Sequence, residues 1–441
     1  MQKQPLIERL GLEPVPMSLK TTQWWEYFMI QLAFSVNSGN FLVPALAVLE
    51  GGLSFYWAIL STVLGAGLAF LFVSILSLPG ARYGLPGQFV IRTMIGKKLS
   101  MFSASPIRSL TSLYWFSVQT IGGTLVVISI LEKWAGLSVP FLPVALSLAL
   151  VMTVLALIGF DAVKKATKMF IPVLVVGQMI LLYIFLSDIT SGNVQVNETS
   201  SFSFSMFVFF ASLAFVQYVS GVSASSDMTR YATNERHGFW GLYAGNVIGF
   251  TMTAILGSLS AELYQNSNPF VAASESTGSV VFMIIIIITA MVSMISINLS
   301  NAYTGGFSLL NALPQIGRLK SAILFGVCGI VLSAFPTLVE NAESYISWLG
   351  AFVVPLSAII VTDFILIKKK EISEEDLIQL AEGKATYNHQ ALATLLTMIV
   401  FYIAIPDQWS PGFITFVATS VVYYSLMSMK VNRNVRGQRA S

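Results

Sequence analysis

The side chains able to do covalent or metal chemistry are few in this chain and badly placed for it. The single cysteine, Cys328, lies inside an apolar run, which excludes an internal disulfide, an iron–sulfur cluster and a zinc knuckle. The two histidines, His237 and His389, fall in polar stretches, so no transition-metal site is expected. Glu26, Asp227 and Asp363 sit at the ends of apolar segments, and no Asp, Glu, Lys, Arg or His comes near the middle of one. Ionisable groups at that depth are costly and usually functional, so their absence predicts a ligand that is neutral overall and no carboxylate proton relay. What the segments hold instead is Asn, Gln, Ser, Thr and aromatic side chains, a set suited to a heterocycle with a flat face and a hydrogen-bonding edge.

Those side chains must be positioned by membrane helices. Of 441 residues, 55% are hydrophobic and 10% charged, against about 45–50% and about 25% in soluble domains. That balance excludes a soluble enzyme, a secreted module and a disordered linker. The net charge is +3 and the basic residues are scattered, so nucleic acid is not a partner. A spanning helix needs about 20 apolar residues. Twelve segments qualify: 24–49, 55–78, 103–131, 139–159, 169–186, 204–226, 238–259, 280–303, 321–335, 344–367, 391–405 and 411–429. The first carries Glu26 and a polar middle and lacks a small-residue cleavage site, so it reads as a span rather than a signal peptide. With both termini cytoplasmic, 23 of the 24 Lys and Arg residues fall on the inner side and only Lys133 outside. The expected location is the cell (inner or plasma) membrane, with the lipid bilayer as partner and no obligate protein partner evident. The Asn197-Glu198-Thr199 sequon carries no weight, such triplets being common by chance.

Two segments are interrupted at mid-depth. The first contains Asn37-Ser38-Gly39-Asn40 followed by Pro44, and the sixth contains Ser220-Gly221-Val222-Ser223. Irregular backbone at that level is tolerated only where it lines a cavity or is buried in protein. Small residues that merely ease helix packing would explain either break alone. A shift of five segments puts the pair in helices of opposite direction, the arrangement of an inverted repeat. The predicted organisation is therefore all-α and polytopic. A tail (1–23) leads into two repeats of five helices (24–188 and 203–367), followed by a cytoplasmic loop (368–390), two further helices (391–429) and a tail (430–441).

Three stretches carry a family resemblance. Tyr114-Trp115-Phe116-Ser117-Val118-Gln119 in the third segment is similar to the Trp-aromatic-small-aliphatic-Gln run of the nucleobase:cation symporter-1 family, which includes cytosine, uracil, allantoin and hydantoin permeases. Ser226-Asp227-Met228-Thr229-Arg230-Tyr231 resembles its Asp-aromatic-x-Arg-aromatic signature, and Gly80-Ala81-Arg82-Tyr83-Gly84-Leu85-Pro86 its Gly-Ala-Arg/Lys-x-Gly-Leu stretch. The resemblance implies a LeuT-type fold and alternating access. It implies that Trp115, Gln119, Tyr218, Ser220, Asn298 and Gly39 form the substrate site. Trp115 and Gln119, at i and i+4, share a helix face, so one can stack while the other donates and accepts. For a coupling sodium ion it implies oxygens from Ser35, Ser38, Ser293 and Ser296. Ile297 stands where relatives carry a second hydroxyl, which leaves sodium and proton coupling both open. Asp227 and Arg230 are expected to fix the inner end of the sixth segment.

The resulting expectation is a secondary active, cation-coupled importer of a neutral nucleobase such as cytosine or a purine, with no cofactor beyond the coupling ion. A carrier of allantoin, hydantoin, a thiamine-like pyrimidine or a small amine is the nearest rival. An integral-membrane enzyme would need a catalytic acid, metal ligand or activated nucleophile near the interface, which the sequence lacks. A passive channel would not accumulate its substrate.

Overall fold

The computed structural model describes residues 13–156, 160–194, 202–383 and 386–440. Among these it is helical almost throughout. The principal helices are α1 (Trp24–Ser35), α2 (Ser38–Leu49), α3 (Phe55–Ile75), α4 (Ser105–Ala135), α5 (Phe141–Ala156), α6 (Phe160–Thr190) and α7 (Phe204–Val219). They continue with α8 (Ser225–Thr229), α9 (Glu235–Tyr264), α10 (Val280–Ala312), α11 (Gly317–Leu332), α12 (Ala342–Thr362), α13 (His389–Ala404) and α14 (Pro411–Ala440). Among the described residues nine helices are long and apolar enough to cross a membrane, and a tenth is formed if α1 and α2 count as one bent span. The helices α5 and α13 are shorter apolar helices that fall where the fourth and eleventh segments are expected. The end of the fourth segment (157–159), the first twelve residues of the tail and the Asn197–Thr199 sequon lie outside the described residues.

Both interruptions appear, in different forms. Helices α1 and α2 meet at 59°. Val36 and Asn37 leave helical geometry there, and the Asn37 side chain caps α2 by accepting from Asn40 N at 2.9 Å. Side-chain capping of this kind replaces the partner that a helix start lacks. The second interruption is milder. Ser220–Ser223 tighten into a 3₁₀ turn between α7 and α8, where Ser223 Oγ donates to Ser220 O at 2.9 Å. Carbonyls at the turn's two ends are taken by distant side chains, Val219 O accepting from Ser357 Oγ and Ser223 O from Gln88 Nε2, each at 3.2 Å.

Helix α10 packs along α4, and α9 packs along α1, α2 and α3. The contact between α9 and the bent pair is close enough to be backbone on backbone. A Cβ at Gly245 would lie 2.7 Å from Phe28 O in α1, and one at Gly257 would lie 2.5 Å from Phe41 O in α2. Gly241 meets Trp24 O in the same way, at 2.5 Å, and Gly249 lies against the Ser35 side chain. Close approach between small residues is how membrane helices gain packing energy when lipid supplies no hydrophobic drive.

The third span begins earlier than its apolar run suggests. A π turn over Ser100–Ala104 joins a short helix at Lys97 directly to α4, giving a candidate span of Lys97–Ala135. Arg108 is therefore in the first turn of α4, inside a continuous helix that extends beyond it on both sides.

Candidate functional site

A cavity of about 170 Å³ lies where the α1–α2 break faces α4, the α7–α8 junction and α10. Trp115 and Gln119 from α4 and Tyr218 from the end of α7 line it, together with Ser220 of the 3₁₀ turn. Gln119 is held at both ends of its amide: Oε1 accepts from Gly39 N at 3.1 Å and Nε2 donates to Asn37 Oδ1 at 2.6 Å. Gly39 itself sits behind the wall, where a Cβ would meet Gln119 Nε2 at 2.4 Å and the Trp115 ring at 3.2 Å. Its carbonyl accepts from Gln217 Nε2 at 3.2 Å, so the break is stitched from both α4 and α7.

Tyr218 is wedged between Phe70 and Phe250, with ring centroids 4.5 and 5.1 Å away, and its buried hydroxyl has no hydrogen-bond partner. Gln217 Oε1 and Ser225 Oγ are likewise buried without partners, and both residues line the cavity. Buried polar atoms are normally paired, so a cluster of orphans around one void marks groups a ligand or water can satisfy.

Two sequence expectations need correction. Asn298 does not reach the cavity: it is fully buried, and its Nδ2 donates to Phe116 O at 3.2 Å and Thr120 Oγ1 at 3.1 Å, tying α10 to α4. Asn301, three residues on, lines the cavity instead. A step of three residues turns the side chain by about 60° around the helix, enough to move an amide from the interhelical seam to the void. The interior is also not uncharged, because Arg108 lines the same cavity. Its Nη1 donates to Ser220 Oγ and its Nη2 to Thr304 Oγ1, each at 3.2 Å. The sequence did contain a signal for it: Arg108, Trp115 and Gln119 fall at i, i+7 and i+11, within about 40° of one helix face.

The residues proposed for sodium are divided. Ser35 lines the central cavity, but its carbonyl already accepts from Asn40 Nδ2 at 2.8 Å and Asn37 Nδ2 at 3.3 Å, and Phe34 O accepts from Asn37 Nδ2 at 2.5 Å. Side-chain amides thus occupy carbonyls that a helix break would otherwise offer to a cation. Ser38 faces a second cavity with Gly122 and Glu132. Ser293 and Ser296 are buried, Ser296 Oγ having no partner, and Ile297 presents hydrocarbon to the central cavity. Asp227 and Arg230 stay outside the cavity: Asp227 Oδ1 accepts from Gly87 N at 2.7 Å, and the Arg230 guanidinium lies 5.6 Å from the Phe307 ring centroid.

Similarity to known proteins runs over nearly the whole chain. Residues 14–426 match the family model described as permease for cytosine/purines, uracil, thiamine, allantoin. An allantoin permease of Bacillus subtilis is 24% identical, the match covering 82% of each chain. The solved structure of a nucleobase-cation-symport-1 family transporter, closed with bromovinylhydantoin bound, superposes with a TM-score of 0.78 at 17% identity over 96% of each chain. A sodium-coupled sialic acid symporter superposes with a TM-score of 0.62 at 14% identity, over 92% of this chain and 89% of its own. These likenesses give the chain a LeuT-type fold and make it a multi-pass membrane protein. With helix breaks, a polar void and family-wide similarity in agreement, the chain belongs to the nucleobase:cation symporter-1 family of permeases for cytosine and purines, uracil, thiamine and allantoin.

Proposed function

We propose that this protein imports a nucleobase or a related flat oxo-heterocycle by alternating access around the cavity between Trp115 and Tyr218. In this reading all twelve expected segments span the bilayer, both termini are cytoplasmic, and residues 24–188 and 203–367 form the two inverted repeats. The observation that carries it is the placement of two large aromatic side chains and several unpartnered polar atoms on one small void at the α1–α2 break. Stacking of a base on an aromatic ring contributes roughly 1–3 kcal/mol, and Gln217 Oε1 and the Tyr218 hydroxyl supply an unused acceptor and donor. The bundle of α1, α2, α3, α7 and α9 rocks against the rest to open the void to either side, driven by a monovalent cation gradient.

The test is a binding screen on purified protein with cytosine, uracil, adenine, allantoin and hydantoin, followed by uptake into proteoliposomes. Saturable accumulation of one of these against its gradient is the expected result. Flux that never saturates would point to a channel and end the carrier reading.

A further inference from the structure

Arg108 stands out because a charged group in a membrane span is kept only where it has a task or a partner. Its guanidinium has neutral partners alone, the hydroxyls of Ser220 and Thr304. No carboxylate lies within ion-pair distance of it among the described residues. The acid whose field reaches it, Asp227, commits Oδ1 to the backbone of Gly87 and does not line the cavity. Of the five donors a guanidinium carries, two are used by those hydroxyls, and Nε is buried without any acceptor. The group thus presents spare, charge-bearing N–H donors at the level of Ser220, two residues from Tyr218 on the same wall.

We propose that the site selects a flat heterocycle carried as a monoanion, with Arg108 pairing its negative edge while Trp115 and Tyr218 hold its ring. The inference rests on the heterocycle-carrier reading above and narrows it. A planar guanidinium matches a carboxylate, or a deprotonated ring amide with its neighbouring oxygen, through two parallel hydrogen bonds. The same fixed positive charge disfavours a permanently cationic ligand such as thiamine. Two sources of the anion share this chemistry: a carboxylated pyrimidine and an oxopurine that ionises in the ring.

The test compares matched pairs on the purified full-length protein at neutral to mildly alkaline pH: orotate against uracil, and urate against hypoxanthine, with thiamine as the cationic control. At least one anion is expected to bind tenfold or more tightly than its neutral counterpart, the pair that does so identifying the source of the charge. Arg108→Gln is expected to collapse that ratio at least tenfold, and Arg108→Lys, which keeps the charge but not the planar fork, to retain part of it. Should Arg108→Gln fail to accumulate, the wild-type ratio and Arg108→Lys still decide the matter. If neutral bases bind as well as or better than anions, the anion proposal is wrong and the carrier reading stands. A uniform loss across both members of a pair in Arg108→Gln would make Arg108 a clamp between α4, the 3₁₀ turn and α10, and would overturn the proposal. If no heterocycle binds, both readings fall together.

Discussion

Gln119 closes a ring of hydrogen bonds with Gly39, accepting from the glycine N–H while its own amide nitrogen donates to Asn37. One side chain on α4 therefore satisfies backbone freed by the bend in a helix 80 positions earlier. The contact leaves no room for a side chain at position 39, and it sets the back of the cavity against the Trp115 ring.

That crowding gives the first prediction. In Gly39→Ala the new methyl would sit 2.4 Å from Gln119 Nε2, which is pinned and cannot swing away cheaply. Overpacking of this kind costs about 1–3 kcal/mol, so detergent-solubilised protein should melt at lower temperature and bind ligand more weakly. Gln119→Ser in the same chain should restore part of the melting temperature, and strictly additive losses would show that the two residues do not communicate.

Trp115 supplies ring area to the cavity, its ring edge-on to Tyr114 at 4.9 Å and backed by Gly39. Trp115→Ala should weaken ligand binding by roughly 10- to 100-fold, the equivalent of about 1–3 kcal/mol of stacking, with membrane abundance preserved. Trp115→Phe should recover a measurable part. Equal binding by wild type and the alanine variant would place the ligand elsewhere.

Asn298 and Asn301 should separate stability from recognition. Asn298→Ala removes two bonds between α10 and α4, and interhelical hydrogen bonds in membranes average about 0.6 kcal/mol, so a modest drop in thermal stability is expected with little change in affinity once folded. Asn301→Ala should do the reverse. Binding assays paired with melting curves distinguish the two, and an affinity loss confined to Asn298→Ala would invert the assignment.

Sodium should matter little to ligand affinity. Hard cations require several oxygen ligands at once. Here the Ser35 and Phe34 carbonyls accept from Asn37 and Asn40, and Ile297 contributes no oxygen. Replacing sodium with potassium in a titration should shift the dissociation constant less than threefold. A shift of tenfold or more would mean that the asparagine amides give way to the ion.

Much of this architecture could be read from residue order, because its causes are local. A polar tetrad in an apolar run has few ways to be satisfied at mid-depth, so Asn37–Asn40 announces its own break, and the i, i+4 pairing of Trp115 with Gln119 fixes their shared face. Arg108 falls near the inner end of the third expected segment (103–131), and its contact with the void is not legible there for a reason of length. The π turn at Ser100–Ala104 extends the helix backwards past the apolar run and places the residue where a long side chain reaches the void. Asn298 departs from its expected place for a reason of rotation. Which of two amides on α10 meets the cavity depends on how α10 rolls against α4, and that roll is set by packing partners distant in sequence.

The glycines of α9 bear on how such a molecule would move. Since Gly241, Gly245, Gly249 and Gly257 bring one continuous rod into contact with both arms of the kinked one, neither arm can pivot at Asn37 without prying open that joint. The elbow is splinted. Any swing that exposes the chamber has to carry rod and elbow as one lever, with slippage confined to the faces that turn toward α4 and α10.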